Sequence, residues 1–234
     1  MTNSNSTQIS LIKEQNKFLA RTYGWMALAL VISGLTAFGT AAYIASIGIK
    51  QAYGFFQIGF PVLAIAEIVL VWWLSASIGK ISAAGATVAF VIYSVLNGMT
   101  LSSIFIVYQL SSLVTIFATS AAMFAAMALY GTFTKQNILS FGRYFFMALI
   151  GVIIASIINL FVRSDRFDWI ISIVTVVLFT GLSAYDAQKM VRVSERAENS
   201  DVFRKASIIG ALELYLDFIN IFLSMLRLFG KRNN

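Results

Sequence analysis

The sequence predicts an all-α integral membrane protein with seven transmembrane helices. Three observations lead there. Of 234 residues, 59% are hydrophobic and only 12% are charged, with a mean hydropathy of +0.83. A water-soluble domain of this length has too little interior to hide that much apolar surface. The apolar residues fall into seven runs of about 20, the length that crosses a hydrocarbon core as a helix. The connections between runs are short, and none is a linker that would separate domains.

Residues 1–23 read as a polar and basic lead-in. "MTNSNSTQIS" lacks the basic start, apolar core and small-residue cleavage site of a signal peptide. Leu11, Ile12, Phe18 and Leu19, set among Lys13, Glu14 and Lys17, suit a short interfacial helix over Gln8 to Arg21. Spans are then expected at roughly 24–46, 58–78, 84–107, 112–132, 142–162, 168–187 and 206–229. They make one seven-helix domain over residues 24–230, followed by a basic tail at 231–234. Pro61 falls near the start of the second span, where the missing N–H is tolerated.

Composition also excludes chemistry. With no cysteine and no histidine, there are no disulfides, no thiolate nucleophile, no imidazole metal ligand and no imidazole pH switch. Proton-linked behaviour must come from carboxylates. The net charge of +7 fits basic loops facing an anionic leaflet rather than a nucleic acid. Placing the N-terminus inside puts eleven of the 17 Lys and Arg residues on the cytoplasmic side, including Lys13, Lys80, Lys135, Lys189 and Arg204. Six remain outside, so the pattern predicts N-in and C-out.

Charged groups inside spans face protein or water rather than lipid. Five qualify: Glu67 in span two, Asp186 at the end of span six, and Glu213, Asp217 and Arg227 in span seven. On a helical wheel Glu213, Asp217, Asn220, Ser224 and Arg227 fall within an arc of about 80°. The rest of that helix is Leu, Ile, Phe and Met, so one continuous polar stripe faces a bundle interior or a water-filled path. Asp217 lies about 16 Å of rise into its span, out of reach of bulk water. Arg227 is about 15 Å further along the same helix, too far for a direct pair. Glu67 is its expected partner, in a pair read as mainly structural.

Asp186, near Lys189, also fits a carboxylate snorkelling to the interface. Span six carries Ser172, Thr175 and Ser183 on the same half of its wheel as Asp186. Span three carries Tyr93, Ser94, Asn97 and Thr100 on a common face, and span five carries Asn159. For the hydroxyls and Asn159 the expected role is hydrogen bonding between helices or to their own backbone. Gly34, Gly39, Gly85 and Gly98 are expected at packing contacts.

Four stretches together resemble one family: "YSVLNGMTLSSIFIVY" (93–108), "YGTFTKQNILSFGRYFFMALIGVIIASIINLF" (130–161), "GLSAYDAQKM" (181–190) and "ALELYLDFINIFLSMLRLFG" (211–230). They resemble the Bax inhibitor-1 family, also called transmembrane Bax inhibitor motif proteins, in its bacterial branch. The last two segments are the most specific, because each fixes an aspartate in an aromatic and apolar frame. The resemblance implies a last helix at the centre, wrapped by the other six, and a pH-sensitive calcium leak. It implies a proton-sensing, hydrogen-bonded pair of Asp186 in "AYDAQK" and Asp217 in "LYLDFIN", which would also meet the calcium ion. It sets Glu67 and Arg227 in the family's structural and gating positions, and implies the bacterial cytoplasmic membrane as location. No cofactor is expected beyond calcium as permeant or bound ion.

Two departures stand out. Relatives carry an arginine near the cytoplasmic end of span two that latches the span-six aspartate. Here "LSASIGK" puts Ser77 at that position and leaves Lys80 as the nearest cation. Glu213 adds a carboxylate one turn before Asp217, an additional calcium ligand or an interfacial acid. Asn97, Asn220 and Ser224 are expected to line the path.

Two rival functions are weaker. An intramembrane aspartyl protease also uses two carboxylates, but its Gly-x-Gly-Asp and Pro-Ala-Leu signatures are missing, so no enzyme is expected. A stress or quality-control adaptor for a membrane-bound protease would need a docking surface, for which the charged stretch Lys189 to Lys205 is the sequence feature on offer.

Overall fold

The computed structural model describes residues 2–48, 50–196 and 200–233, with side chains from Ile12 onward. The described residues form seven long helices and no strand: α1 (Thr2–Ile47), α2 (Phe60–Ser77), α3 (Ala83–Val107), α4 (Leu110–Phe133), α5 (Gly142–Val162), α6 (Asp165–Ser194) and α7 (Asp201–Phe229). A π-helical turn, Phe55–Gly59, leads into α2, and a 3-10 turn, Ile138–Phe141, leads into α5. Each expected span is present as a helix long and apolar enough to cross a membrane.

The lead-in expected over Gln8 to Arg21 is not a separate helix. It runs without a break into the first span, because no glycine or proline interrupts the chain before Gly24. The Leu11 side chain expected there lies outside the described side chains, as do Ile49, Ala197–Asn199 and Asn234.

Helix ends follow local chemistry. Ser82 caps α3, its hydroxyl accepting from the Gly85 N–H at 3.1 Å, and Ser164 caps α6 by accepting from Phe167 N–H at 3.3 Å. Asp165 and Asp168 occupy the first turn of α6, where the helix dipole favours negative charge. The two-residue turn between α5 and α6 needs Arg163 in the left-handed region, φ 51°. Asn159 supports it, its side-chain oxygen accepting from the Ser164 N–H at 3.1 Å.

The helices group into two compact units. One comprises residues 1–109, 197–212 and 232–234, the other residues 110–196 and 213–231. In the first, α1 packs on α3 and α3 on α2. Ser33 donates to the Ser94 carbonyl at 2.7 Å, and a Cβ on Gly98 would meet the Ser33 carbonyl oxygen at 2.6 Å. Gly98 is therefore the packing glycine expected, whereas Gly34 and Gly39 face open space. In the second unit α6 packs on α4 and α5. Phe117 and Phe124 of α4 both set their rings edge-on against Phe218 of α7, at 5.2 and 6.1 Å. Among the described residues α7 is the most buried helix, while α5 has no buried residue and α2 only Glu67 and Leu74.

Candidate functional site

The second unit brings two buried carboxyl groups together. Asp186 stands two thirds of the way along α6 and Asp217 near the middle of α7, exposed by only 8% and 3%. Their side chains lie within hydrogen-bonding reach of one another. The second carboxyl oxygen of Asp217, Oδ2, is buried and has no partner among the described residues.

One turn along each helix stands a second charged pair. Lys189 follows Asp186 by three residues on α6, and Glu213 precedes Asp217 by four on α7, spacings that share a helix face. Lys189 Nζ donates to both carboxylate oxygens of Glu213, at 2.7 and 2.8 Å. Because the two helix segments run in opposite directions, the two contacts form consecutive rungs. Three carboxyl groups and one ammonium thus share a small volume, and each charge acts on its neighbours.

A neighbouring face of the α6 end holds the α4–α5 connection. Gln188 accepts from the Leu139 N–H at 3.2 Å and donates to the Gln136 carbonyl at 2.7 Å. Tyr185 sits so close to Gly142 that a Cβ there would meet the phenol oxygen at 2.7 Å. The segment "AYDAQK" therefore works on two faces: Asp186 and Lys189 meet α7, while Tyr185 and Gln188 fasten the connection.

The other expected site residues have different partners from those anticipated. Glu67 and Arg227, expected as a pair, each have partners within their own unit. Glu67 accepts from Asn97 Nδ2 at 2.9 Å and from the Thr100 hydroxyl, in a buried network joining α2 to α3. Asn97, expected to line a path, serves there as a donor. Arg227 lies 3.7 Å from Asp168 of α6, a pair that is half exposed on both sides. Polar donors satisfy Glu67 without the cost of burying a second charge.

Lys80, expected as a latch, is exposed and joins no ion pair among the described residues. The cation beside the aspartates is Lys189, on α6 itself. Glu213, expected as a further calcium ligand, has both oxygens committed to that lysine. Among the described residues no group of three or more acidic side chains is arranged to hold a metal ion. Asn220 donates to its own helix at Leu216 O, 2.8 Å, and Ser224 is buried. The sequence reading missed Lys189 as a site residue. Its signal was the three-residue spacing from Asp186, read there as an interfacial neighbour of that carboxylate and as basic loop charge.

Residues 15–234 match the family model described as "Inhibitor of apoptosis-promoting Bax1". The chain belongs to the Bax inhibitor-1 family. It is similar to "Inner membrane protein YbhL" of Escherichia coli strain K12, 44% identical over 217 residues that cover 92% of each chain. It is also similar to an uncharacterized protein of Borreliella burgdorferi, 38% identical over 221 residues and 94% of each chain. An uncharacterized membrane protein of Streptococcus pyogenes serotype M1 is 37% identical over 222 residues, 93% of this chain and 94% of that one. With seven apolar helices of spanning length, this member of the family is an integral membrane protein.

Proposed function

We propose that this protein is a pH-sensitive calcium leak of the cell membrane, gated where Asp186 meets Asp217. The observation that carries the reading is the contact between these two buried carboxyl groups on different helices. Two carboxylates in one low-dielectric site cannot both ionise cheaply, so they share a proton. With the proton held, α6 and α7 are bound together at this level. When it leaves, like charges repel, and the helices part or admit a cation.

Calcium is the cargo in this reading. It takes oxygen ligands in flexible geometry, and two carboxylates completed by water bind it weakly enough for passage. Glu213 is not among the ligands, because Lys189 holds it. The distribution of Lys and Arg supports an N-terminus inside and a C-terminus outside. Asp186 then lies toward the cytoplasmic end of α6.

The test is calcium entry into liposomes containing only the purified protein, across about pH 6 to 8. The leak reading expects flux that rises with pH and needs no second protein. No flux at any pH would sink it and favour an adaptor role with a membrane-bound protease.

A further inference from the structure

A cleft of about 370 Å³ opens where the start of α4 lies beside the end of α7, a size that holds a small ligand or part of a large one. The two helices run antiparallel: Phe117 meets Phe222 and Phe124 meets Phe218, at 5.8 and 6.1 Å. Continued toward the start of α4, this pairing sets Ile116 level with Met225 and Ser112 level with Phe229, and all four line the cleft. The other α4 residues of its wall are Ser111, Thr115 and Thr119. At 100° per residue the five α4 positions span an arc of about 140°, and Phe117 and Phe124 lie outside it. One flank of α4 thus forms the cleft, and another carries the aromatic contacts with α7. All of these residues belong to a single unit.

The cleft is graded from polar to apolar. Its polar end is formed by Ser111, Ser112 and Lys231. The Ser112 hydroxyl accepts from the Lys231 N–H at 3.0 Å, which folds the chain after α7 over the first turn of α4. A hydroxyl has one proton to donate, and among the described residues neither Ser111 nor Ser112 spends its own. The Lys231 side chain is exposed and joins no ion pair among the described residues. Further along α4, Thr115 and Thr119 spend their hydroxyl protons on the carbonyls one turn back, at 2.9 Å each. Ile116 and Met225 complete an apolar slot there. Thr119 lies about 12 Å of rise beyond Ser111, within the roughly 15 Å that one leaflet contributes to the hydrocarbon core.

Unspent donors at the end of a span, above an apolar slot that stays within one leaflet, match one kind of occupant. We infer that this cleft binds an anionic phospholipid. Lys231, Ser111 and Ser112 hold its phosphodiester, and the first part of one acyl chain lies along Thr115, Thr119 and Met225. A phosphodiester carries one negative charge and oxygen acceptors, which suit an ammonium and two hydroxyls. No acidic side chain lines the cleft, so the amine of a zwitterionic headgroup would find no partner. A free phosphate would satisfy the donors but leave the apolar slot uncovered. So seated, the lipid joins the end of α7 to the start of α4. None of this rests on the leak reading above.

The test counts lipids bound to the full-length protein by native mass spectrometry in detergent, with phosphatidylglycerol or phosphatidylcholine added. The first phosphatidylglycerol should bind about fivefold or more tightly than the first phosphatidylcholine. Lys231→Gln should remove that preference, while Lys50→Gln, at an exposed lysine outside the cleft, should keep it. Thr115→Phe, which fills the slot from an exposed position, should remove the tight site altogether. No preference in the parent, or an equal loss in the two lysine variants, would mean diffuse charge attraction and overturn the site. Inorganic phosphate that displaces phosphatidylglycerol would assign the donors to a free anion. A dimer that Thr115→Phe abolishes would assign the cleft to a second copy of the chain. Either result overturns the lipid. The lysine variants change exposed side chains only, so they decide even where Thr115→Phe does not fold.

Discussion

Lys189 Nζ lies 2.7 and 2.8 Å from the two carboxylate oxygens of Glu213, one turn from the Asp186–Asp217 contact. The lysine is thus withheld from the aspartates by a neighbouring acid. The balance gives two variants with opposite signs. Glu213→Gln removes a negative neighbour and frees the ammonium, and both changes favour ionised aspartates. The pH midpoint of calcium flux should fall. Lys189→Met leaves Glu213 uncompensated beside the pair, so the midpoint should rise. The side chains are 39% and 30% exposed, and solvent screening limits each shift to on the order of 0.5–1 pH unit. Shifts in the same direction would show that this pair does not tune the aspartates.

Asp186→Asn keeps the size of the side chain but cannot ionise. The repulsion that parts α6 from α7 then cannot arise, so flux should stay low and flat across the pH range. Asp217→Asn should behave alike. A steep, wild-type pH profile in either variant, measured in the same liposomes, would show that the proton is sensed elsewhere.

The seven spans were legible because lipid demands about 20 apolar residues per helix, a constraint local in sequence. The stripe on α7 was legible for the same reason, since 100° periodicity needs no neighbour. Partner choice was not. Glu67 is answered by Asn97 and Thr100 on α3, and Arg227 by Asp168 on α6, contacts set by which helices pack together. The hydroxyls show both outcomes: Thr175 and Ser183 bond their own backbone as anticipated, while Ser120 and Ser172 do not. A serine reads the same in either case, because its partner depends on the space beside it.

Gly131 marks where α4 comes closest to α6. A Cβ there would meet the Ala184 carbonyl oxygen at 2.1 Å and its carbon at 2.8 Å, and backbone cannot move aside as a side chain can. Overpacking of this kind costs about 1–3 kcal/mol, against a helix-propensity gain of about 1 kcal/mol for Gly→Ala. Gly131→Ala should therefore lower thermal stability in detergent. Gly151→Ala, with nothing within 4 Å, should be neutral or stabilising. Equal melting temperatures for the two variants would remove the close contact as a constraint.

Glu67 is 9% exposed and holds α2 to α3 through Asn97 and Thr100. Glu67→Ala leaves the buried Asn97 amide and the half-buried Thr100 hydroxyl without this acceptor, a loss of about 1–3 kcal/mol. Glu67→Gln retains one acceptor oxygen and should cost less. Because Asn97 and Glu67 share one bond, Glu67→Ala with Asn97→Ala should lose less than the sum of the two single variants. Arg227 has its partner in the other unit. Its contact with Asp168 is long and half exposed, and such pairs contribute no more than about 1 kcal/mol. Arg227→Ala should therefore melt close to the parent, and its effect should add to that of Glu67→Ala. Thermal melts of these single variants and of the two double variants, in one detergent, decide between the networks. A non-additive Glu67–Arg227 cycle would mean that the two charges are coupled after all, and the Asn97 and Thr100 bonds would then not account for how Glu67 is held.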